Sequence, residues 1–174
     1  MASIQQVLQE AMAHQQAGRL TEAEAQYREI LARDDRQPDA WHLLGTIAQQ
    51  IGDSATAVDL ISHAIELAPQ NASFHCNLGN ALLGLGRVED AEASYRQAIS
   101  RKADFPLAHF NLGRLLASTG RPNDAAASFH RAIQLQPDFA DAHYNLALIH
   151  QNQRSWVAAI SGYQRTLIDR KSVV

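Results

Sequence analysis

The 174-residue chain carries a formal charge of −3 with 46% hydrophobic residues, a balance that fits a folded soluble protein and excludes the basic footprint of a nucleic-acid binder. Its 15 basic side chains, all Arg except Lys102 and Lys171, are scattered rather than striped. The single cysteine, Cys76, excludes an intrachain disulfide and points to a reducing, cytoplasmic setting, and no run approaches the ~18 apolar residues of a membrane span.

Taken in chain order, the pattern predicts helices and nothing else. The opening Met1-Ala2-Ser3-Ile4-Gln5-Gln6 lacks the basic and apolar stretches of a secretory signal. The first helix, 3–17, is rich in amides (Gln5, Gln6, Gln9, Gln15, Gln16) and suits a soluble start. Gly18 ends it, and 20–33 follows with Ala23, Tyr27 and Leu31 on one face. Helices 38–51 and 54–67 come next, split by Gly52 and closed by Pro69. Helices 72–85 and 88–101 are split by Gly86, and Pro106 opens 106–119 at the position where proline starts helices. Gly120 precedes 122–135, which Pro137 closes. Helices 140–153 and 156–169 finish the chain, with Arg154 standing where glycine is expected. Glycine there suits the left-handed residue that ends a helix, so the Arg154 turn is expected to differ in shape or to carry strain.

The helices repeat with a period of 34 residues. Gly18, Gly52, Gly86 and Gly120 form one column. Ala23, Ala57, Ala91, Ala125 and Ala159 form a second. Tyr27, Ile61, Tyr95, Phe129 and Tyr163 form a third, and Leu31, Ile65, Ile99, Ile133 and Leu167 a fourth. Leu44, Leu78, Leu112 and Leu146 make another, followed directly by Gly45, Gly79, Gly113 and Ala147. Several columns in one register mark a repeat architecture.

A 34-residue beat of Leu-Gly, then Gly, then Ala-x-x-x-Phe/Tyr resembles the tetratricopeptide repeat. With Trp41 at repeat position 4, the units are 4–37, 38–71, 72–105, 106–139 and 140–173, and the resemblance spans the whole chain as one domain, 1–174. It implies an all-α, right-handed solenoid of antiparallel helix pairs A and B, without a catalytic domain, cofactor or metal. The small residues at positions 8 and 20 let A and B approach, and the large residue at position 24 fills the remaining gap. Repeat one departs most, with Glu10 and Ala11 where Leu-Gly is expected, as terminal units often do.

The same resemblance implies that the A helices line a concave face through positions 2, 5, 6, 9, 12 and 13. Position 6 supplies Asn77, Asn111 and Asn145, and position 9 supplies Asn80 and Arg114. Position 5 supplies His42, Cys76, Phe110 and Tyr144, and position 2 supplies Asp39 and Asp141. An amide can both donate to and accept from a peptide group. Successive units stand ~10 Å apart and an extended chain advances ~3.3 Å per residue, so an asparagine in each unit can grip a guest backbone about every third residue. The alternative is structural: the asparagines orient A-helix ends or bond a neighbouring unit.

Asn-Leu-Gly-Asn at 77–80 and Ala-Asp-Ala-His-Tyr-Asn-Leu-Ala at 140–147 look like the repeat region of O-linked N-acetylglucosamine transferases, where inner asparagines hold substrate backbone. The segment from Ala23 to Gly45 is similar to bacterial repeat arrays, some followed by glycosyltransferase or sulfotransferase domains. These resemblances imply a scaffold binding a protein or peptide, or else the substrate-recognition segment of a larger transferase. A carboxylate clamp for chaperone tails is disfavoured, because Arg114 is the one basic residue in the inner columns read. The last helix predicts a third outcome: Trp156, Ile160, Tyr163 and Leu167 stand partly uncovered, as in a fragment of a longer chain or a homo-oligomer.

Some constellations imitate chemistry. His75, His109 and His143 recur at the repeat interval, but zinc needs its ligands ~2 Å from one ion and successive units are ~10 Å apart, so packing is expected instead. Gly79, Gly84 and Gly86 follow no strand and form no dinucleotide fingerprint. Cys76 is expected beside Asn77 in the groove as a passive small residue, since His75 next to it in sequence does not face it on a helix.

Overall fold

The computed structural model describes residues 2–171. Among them lie ten helices in sequential antiparallel pairs, giving five repeats of a helical array: α1 (Ile4–Gln16), α2 (Leu20–Arg33), α3 (Pro38–Gln50), α4 (Ser54–Leu67), α5 (Ala72–Gly84), α6 (Val88–Arg101), α7 (Pro106–Ser118), α8 (Pro122–Leu135), α9 (Ala140–Asn152) and α10 (Trp156–Lys171). The predicted bounds are matched to within two residues. The A helices end one residue early because their last residue is already the cap of the turn.

Local chemistry explains where each helix starts and stops. Ser3 and Gln6 form a capping box at α1: Gln6 N donates to Ser3 Oγ (3.2 Å), and Ser3 N donates to Gln6 Oε1 (2.9 Å). Asp53 caps α4 through Thr56 N at 3.0 Å, and Asn71 caps α5 through Ser73 N at 3.0 Å. Pro38, Pro106 and Pro122 occupy the first helical position, where no partner for an amide hydrogen is needed. Gly18, Gly52, Gly86 and Gly120 take φ of +74°, +86°, +72° and +77°. Each closes its A helix with the same pair of bonds, as in Gly52 N to Gln49 O (3.1 Å) and Asp53 N to Ala48 O (2.9 Å). Arg154 makes the same turn. Its N donates to Gln151 O (2.9 Å), Ser155 N donates to His150 O (2.8 Å), and its φ is +59°. Of the two expectations for this turn, strain is the one realised, since a side chain in the left-handed region costs ~1 kcal/mol or more.

The chain divides into two compact units, Met1–Ser94 and Tyr95–Val174, with the boundary inside α6. In the first, α1 packs on α2, α3 on α4, and α2 and α4 each pack on the A helix that follows. One core gathers Val7, Ala11, Ala23, Tyr27, Ile30, Ala40, Leu44 and Ile47. A second gathers Ala48, Ala57, Ile61, Ala64, Phe74 and Ala81, with Trp41 and Ile65 against it. The second unit repeats the scheme, α7 on α8, α8 on α9 and α9 on α10.

The repeat columns do their expected work. A Cβ on Gly45 would lie 2.6 Å from Ile61 Cγ1 and 3.3 Å from the Ala57 carbonyl, and one on Gly113 would lie 2.7 Å from Phe129 Cε1. The position-24 side chain, Ile61 or Phe129, therefore occupies the volume that glycine leaves.

Candidate functional site

The inner-face columns fall on the A helices of both units. In the first unit Asp39 is exposed, Asn77 and Asn80 are half-buried, and His42 is buried. The His42 ring stacks on Phe74 with centroids 4.4 Å apart. Its Nε2 lies 2.7 Å from Asn77 Nδ2, and Asn80 Nδ2 reaches Asn77 Oδ1 at 3.5 Å. An amide nitrogen can only donate, so His42 accepts at Nε2 and carries its proton on Nδ1. Burial pushes the His42 imidazole down to about 4, which keeps that acceptor available.

A cleft of about 250 Å³ opens in the same unit, lined by Met12, Gln15, Gln16, Leu43 and Gln50. All five occupy positions 6, 9, 12 and 13, the columns expected on the inner face. Met12, Gln15, Gln16 and Gln50 are not among the residues expected at the site, since an amide-rich α1 suits solvent equally well and Gln50 closes α3. Their signal was present in the register. Gln15 is held in place at both ends of its amide: Tyr27 Oη donates to its Oε1 (3.0 Å), and its Nε2 donates to Thr46 Oγ1 (2.9 Å). Burial pushes the Tyr27 phenol up to about 12, so it stays a donor. Tyr163 donates to Gln151 at the equivalent positions of repeat five.

In the second unit Arg114 and Asp141 are exposed, and Asn145 is half-buried. The Arg114 guanidinium lies 5.8 Å from the Phe110 ring centroid, within range of a cation–π contact. Phe110 is itself buried, with Phe139 at 4.8 Å and Phe129 at 5.8 Å between centroids. Tyr144, in the same column, is 42% exposed and leans on Tyr163 at 5.8 Å. Asn145 Nδ2 donates to the Asp141 carbonyl of its own helix at 2.7 Å.

Several placements differ from the expectation. Cys76 does not line the groove: it is 1% exposed and sits in the core as a small apolar group. His42 and Phe110 serve as packed walls beneath the polar residues rather than as open contacts. Asn111 is only 8% exposed, so the three asparagines of position 6 are not equally presented.

The histidines at position 4 are accounted for by packing. His75 Nε2 lies 3.0 Å from Pro69 O, His109 Nε2 3.0 Å from Ala103 O, and His143 Nε2 2.9 Å from Pro137 O. Trp41 Nε1 makes the same bond to Asp35 O at 2.7 Å. Each ring reaches the carbonyl six residues earlier and ties the turn between repeats to the next A helix. Among the described residues no group of three or more His, Cys, Asp or Glu could hold a metal ion, and no helix is long and apolar enough to cross a membrane.

The register is shared with known proteins. The tetratricopeptide-repeat family matches residues 8–72 and 76–129, and a TPR repeat matches 113–153. Among solved structures, PilF of Pseudomonas aeruginosa superposes with a TM-score of 0.90 at 21% identity, covering 95% of this chain and 76% of that one. MamA of Desulfovibrio magneticus RS-1 gives 0.80 at 15% identity, covering 97% and 96%. YrrB, described as a TPR protein with an unusual peptide-binding site, gives 0.70 at 21% identity, covering 95% and 85%. No curated protein sequence matches the chain. With the family matched over most of its length and its columns placed as above, the chain belongs to the tetratricopeptide-repeat family, as a scaffold of helical repeats.

Proposed function

We infer that this scaffold binds an extended peptide, or an unfolded segment of a partner protein, along the A-helix face. The observation that carries this reading is the cleft lined by Met12, Gln15, Gln16, Leu43 and Gln50. It is a concavity built only from inner-face columns, with one fixed amide, Gln15, beside the amides of Gln16 and Gln50 and the apolar Met12 and Leu43. The A helices of each unit carry the same kind of chemistry, Asp39, Asn77 and Asn80 in the first and Arg114, Asp141 and Asn145 in the second: amides for a guest backbone, Arg114 for an acidic side chain, Asp39 and Asp141 for hydroxyl or basic ones. His42 bonds Asn77 and Phe110 lies against Arg114, and Tyr144 offers an exposed ring. The peptide-binding description of YrrB is in keeping with this reading. Panning a random peptide library and re-measuring the selected peptides on the double variant Gln16→Ala/Gln50→Ala tests it. Each lost hydrogen bond is worth about 1 kcal/mol, or roughly fivefold in affinity. Unchanged affinity with unchanged helix content rejects the reading.

A second reading is favoured by α10. Positions 21 and 28 are half-buried in the first four repeats, at Glu24, Val58, Glu92 and Ala126, and at Leu31, Ile65, Ile99 and Ile133. In the fifth, Ile160 is 56% exposed and Leu167 61%, beside Trp156 at 58%. A second copy presenting the same helix covers this face with like surface, as in a two-fold dimer. The equivalent face of α1 carries Gln6 and Glu10 and would bury a carboxylate against Leu167. Sedimentation equilibrium on the wild type and Ile160→Asp tests it: a dimer that the variant abolishes supports it, and a wild-type monomer at high concentration rejects it.

A further inference from the structure

The cleft of the first unit carries no charge. Its lining is two apolar side chains, Met12 and Leu43, and three neutral amides, Gln15, Gln16 and Gln50. The columns around it follow suit. Across the inner-face positions of α1, α3 and α5, amides recur at Gln9, Gln49, Asn77 and Asn80, and Asp39 is the one formally charged residue. Asp39 lies in the first turn of α3 and Gln50 ends that helix, roughly 16 Å away along its axis. His42 is kept neutral at physiological pH by burial. The charged residues of the two flanking turns are engaged elsewhere: Arg19 Nε donates to His14 Nδ1 (2.8 Å), and Asp53 Oδ1 accepts from Thr56 N (3.0 Å).

Hydrogen bonding also fixes the polarity of one amide in the lining. Thr46 Oγ1 donates its only hydrogen to Leu43 O (2.8 Å), so it accepts from Gln15 Nε2 (2.9 Å). The Tyr27 phenol, pushed up to about 12 by burial, donates to Gln15 Oε1 (3.0 Å). These bonds set which end of the Gln15 amide is oxygen and which is nitrogen. A primary amide offers two N–H donors and two acceptor sites, so Gln15 keeps one of each for a guest. Gln16 and Gln50 bring the same two kinds of group. The volume of about 250 Å³ lies below the ~300–1,000 Å³ of small-molecule sites and suits one side chain of a longer guest. A carboxylate or ammonium entering it gives up water without meeting an opposite charge, whereas a neutral amide on an apolar stem exchanges water for the amides of the lining.

We propose that this cleft is a specificity subsite for an uncharged amide side chain, a glutamine or asparagine of the guest peptide, and that it rejects the acidic and basic side chains; this rests on the peptide-binding reading given above. Met12 and Leu43 cover the stem of the guest side chain, and Gln15, with its oxygen and nitrogen fixed, sets the donor and acceptor order for the head. The A helices of the second unit carry Arg114 and Asp141 in their inner columns, so the selection against charge belongs to the first unit.

Peptides panned from a random library on the full chain are the probe, and the guest residue seated in the cleft is found by NMR as the one whose protons show cross-relaxation to the Met12 methyl. The result expected is glutamine or asparagine at that place. Replacing it by its charged isostere, glutamate or aspartate, should lower affinity at least about fivefold. On Gln50→Lys, which sets a positive charge at the exposed end of α3, that loss should shrink, and circular dichroism of the variant should match the wild type. The proposal is overturned if the residue against Met12 is charged or purely apolar, if the isostere binds as well as the amide, if the loss is as large on Gln50→Lys, or if no panned peptide touches Met12. The peptide-binding reading fails by a different result, unchanged affinity on Gln16→Ala/Gln50→Ala. A peptide that weakens on that double variant yet accepts glutamate in the cleft sinks the selectivity alone.

Discussion

The side-chain amide of Asn77 lies 2.7 Å from Nε2 of His42, one repeat earlier in the chain. This bond joins two inner-face columns of the first unit and fixes the tautomer of a buried imidazole. Asn77→Ala leaves that ring nitrogen without its donor, at a cost of about 1–3 kcal/mol, readable as a lower urea midpoint.

Acid acts on the same pair. Burial holds His42 at about 4, below the ordinary 6.5 of the unfolded chain. Above pH 6.5 the imidazole is neutral in both states. As pH falls toward 4 the unfolded chain takes up a proton that the folded chain does not, so stability is lost across that window. The gap corresponds to roughly 3 kcal/mol, complete below about pH 4. Urea midpoints measured across this range should fall less steeply in His42→Phe, which keeps the stack on Phe74 and removes the titrating group.

Arg154 is the one non-glycine residue with positive φ among the described residues. Arg154→Gly is expected to stabilise the second unit by about 0.5–1 kcal/mol, and Gly52→Ala to destabilise the first by at least as much. Melting temperatures of the two variants should move in opposite directions.

Close packing of paired helices predicts a different glycine effect. Gly113→Ala sets a methyl against Phe129, a fully buried ring with nowhere to move, and should cost about 1–3 kcal/mol. Denaturant unfolding provides the measure.

Position 4 predicts an exchange. Trp41→His should preserve the tie to Asp35 O, whereas Trp41→Phe removes the donor and should cost about 1 kcal/mol more than the histidine variant after its packing is counted. Thermal melts of the pair decide it.

The period made the fold legible. Ala57 under Gly45, Ile61 in the gap and Gly52 at the turn are each dictated by one repeat position, and the structure puts them there. The site was less legible, because a column sets the direction of a side chain but not what covers it. Phe110 and Tyr144 share position 5, yet Phe139 and Phe129 close over Phe110. The residue in Phe139's place after repeat five is Val173, outside the described residues. Cys76 and Asn111 show the same limit: their columns point to the inner face, yet they are 1% and 8% exposed. Gln15 and Gln16 are not legible as site residues because an amide-rich first helix also suits solvent, and only the bonds from Tyr27 and to Thr46 show that Gln15 is positioned.

Amide chemical-shift mapping of a panned peptide on the isotope-labelled chain tests the inner-face account most directly. The account predicts that the largest changes fall on the A-helix residues around the first-unit cleft, Met12, Gln16, Leu43 and Gln50. Changes confined to B-helix residues such as Arg28, Leu60 and Ala158 would contradict it.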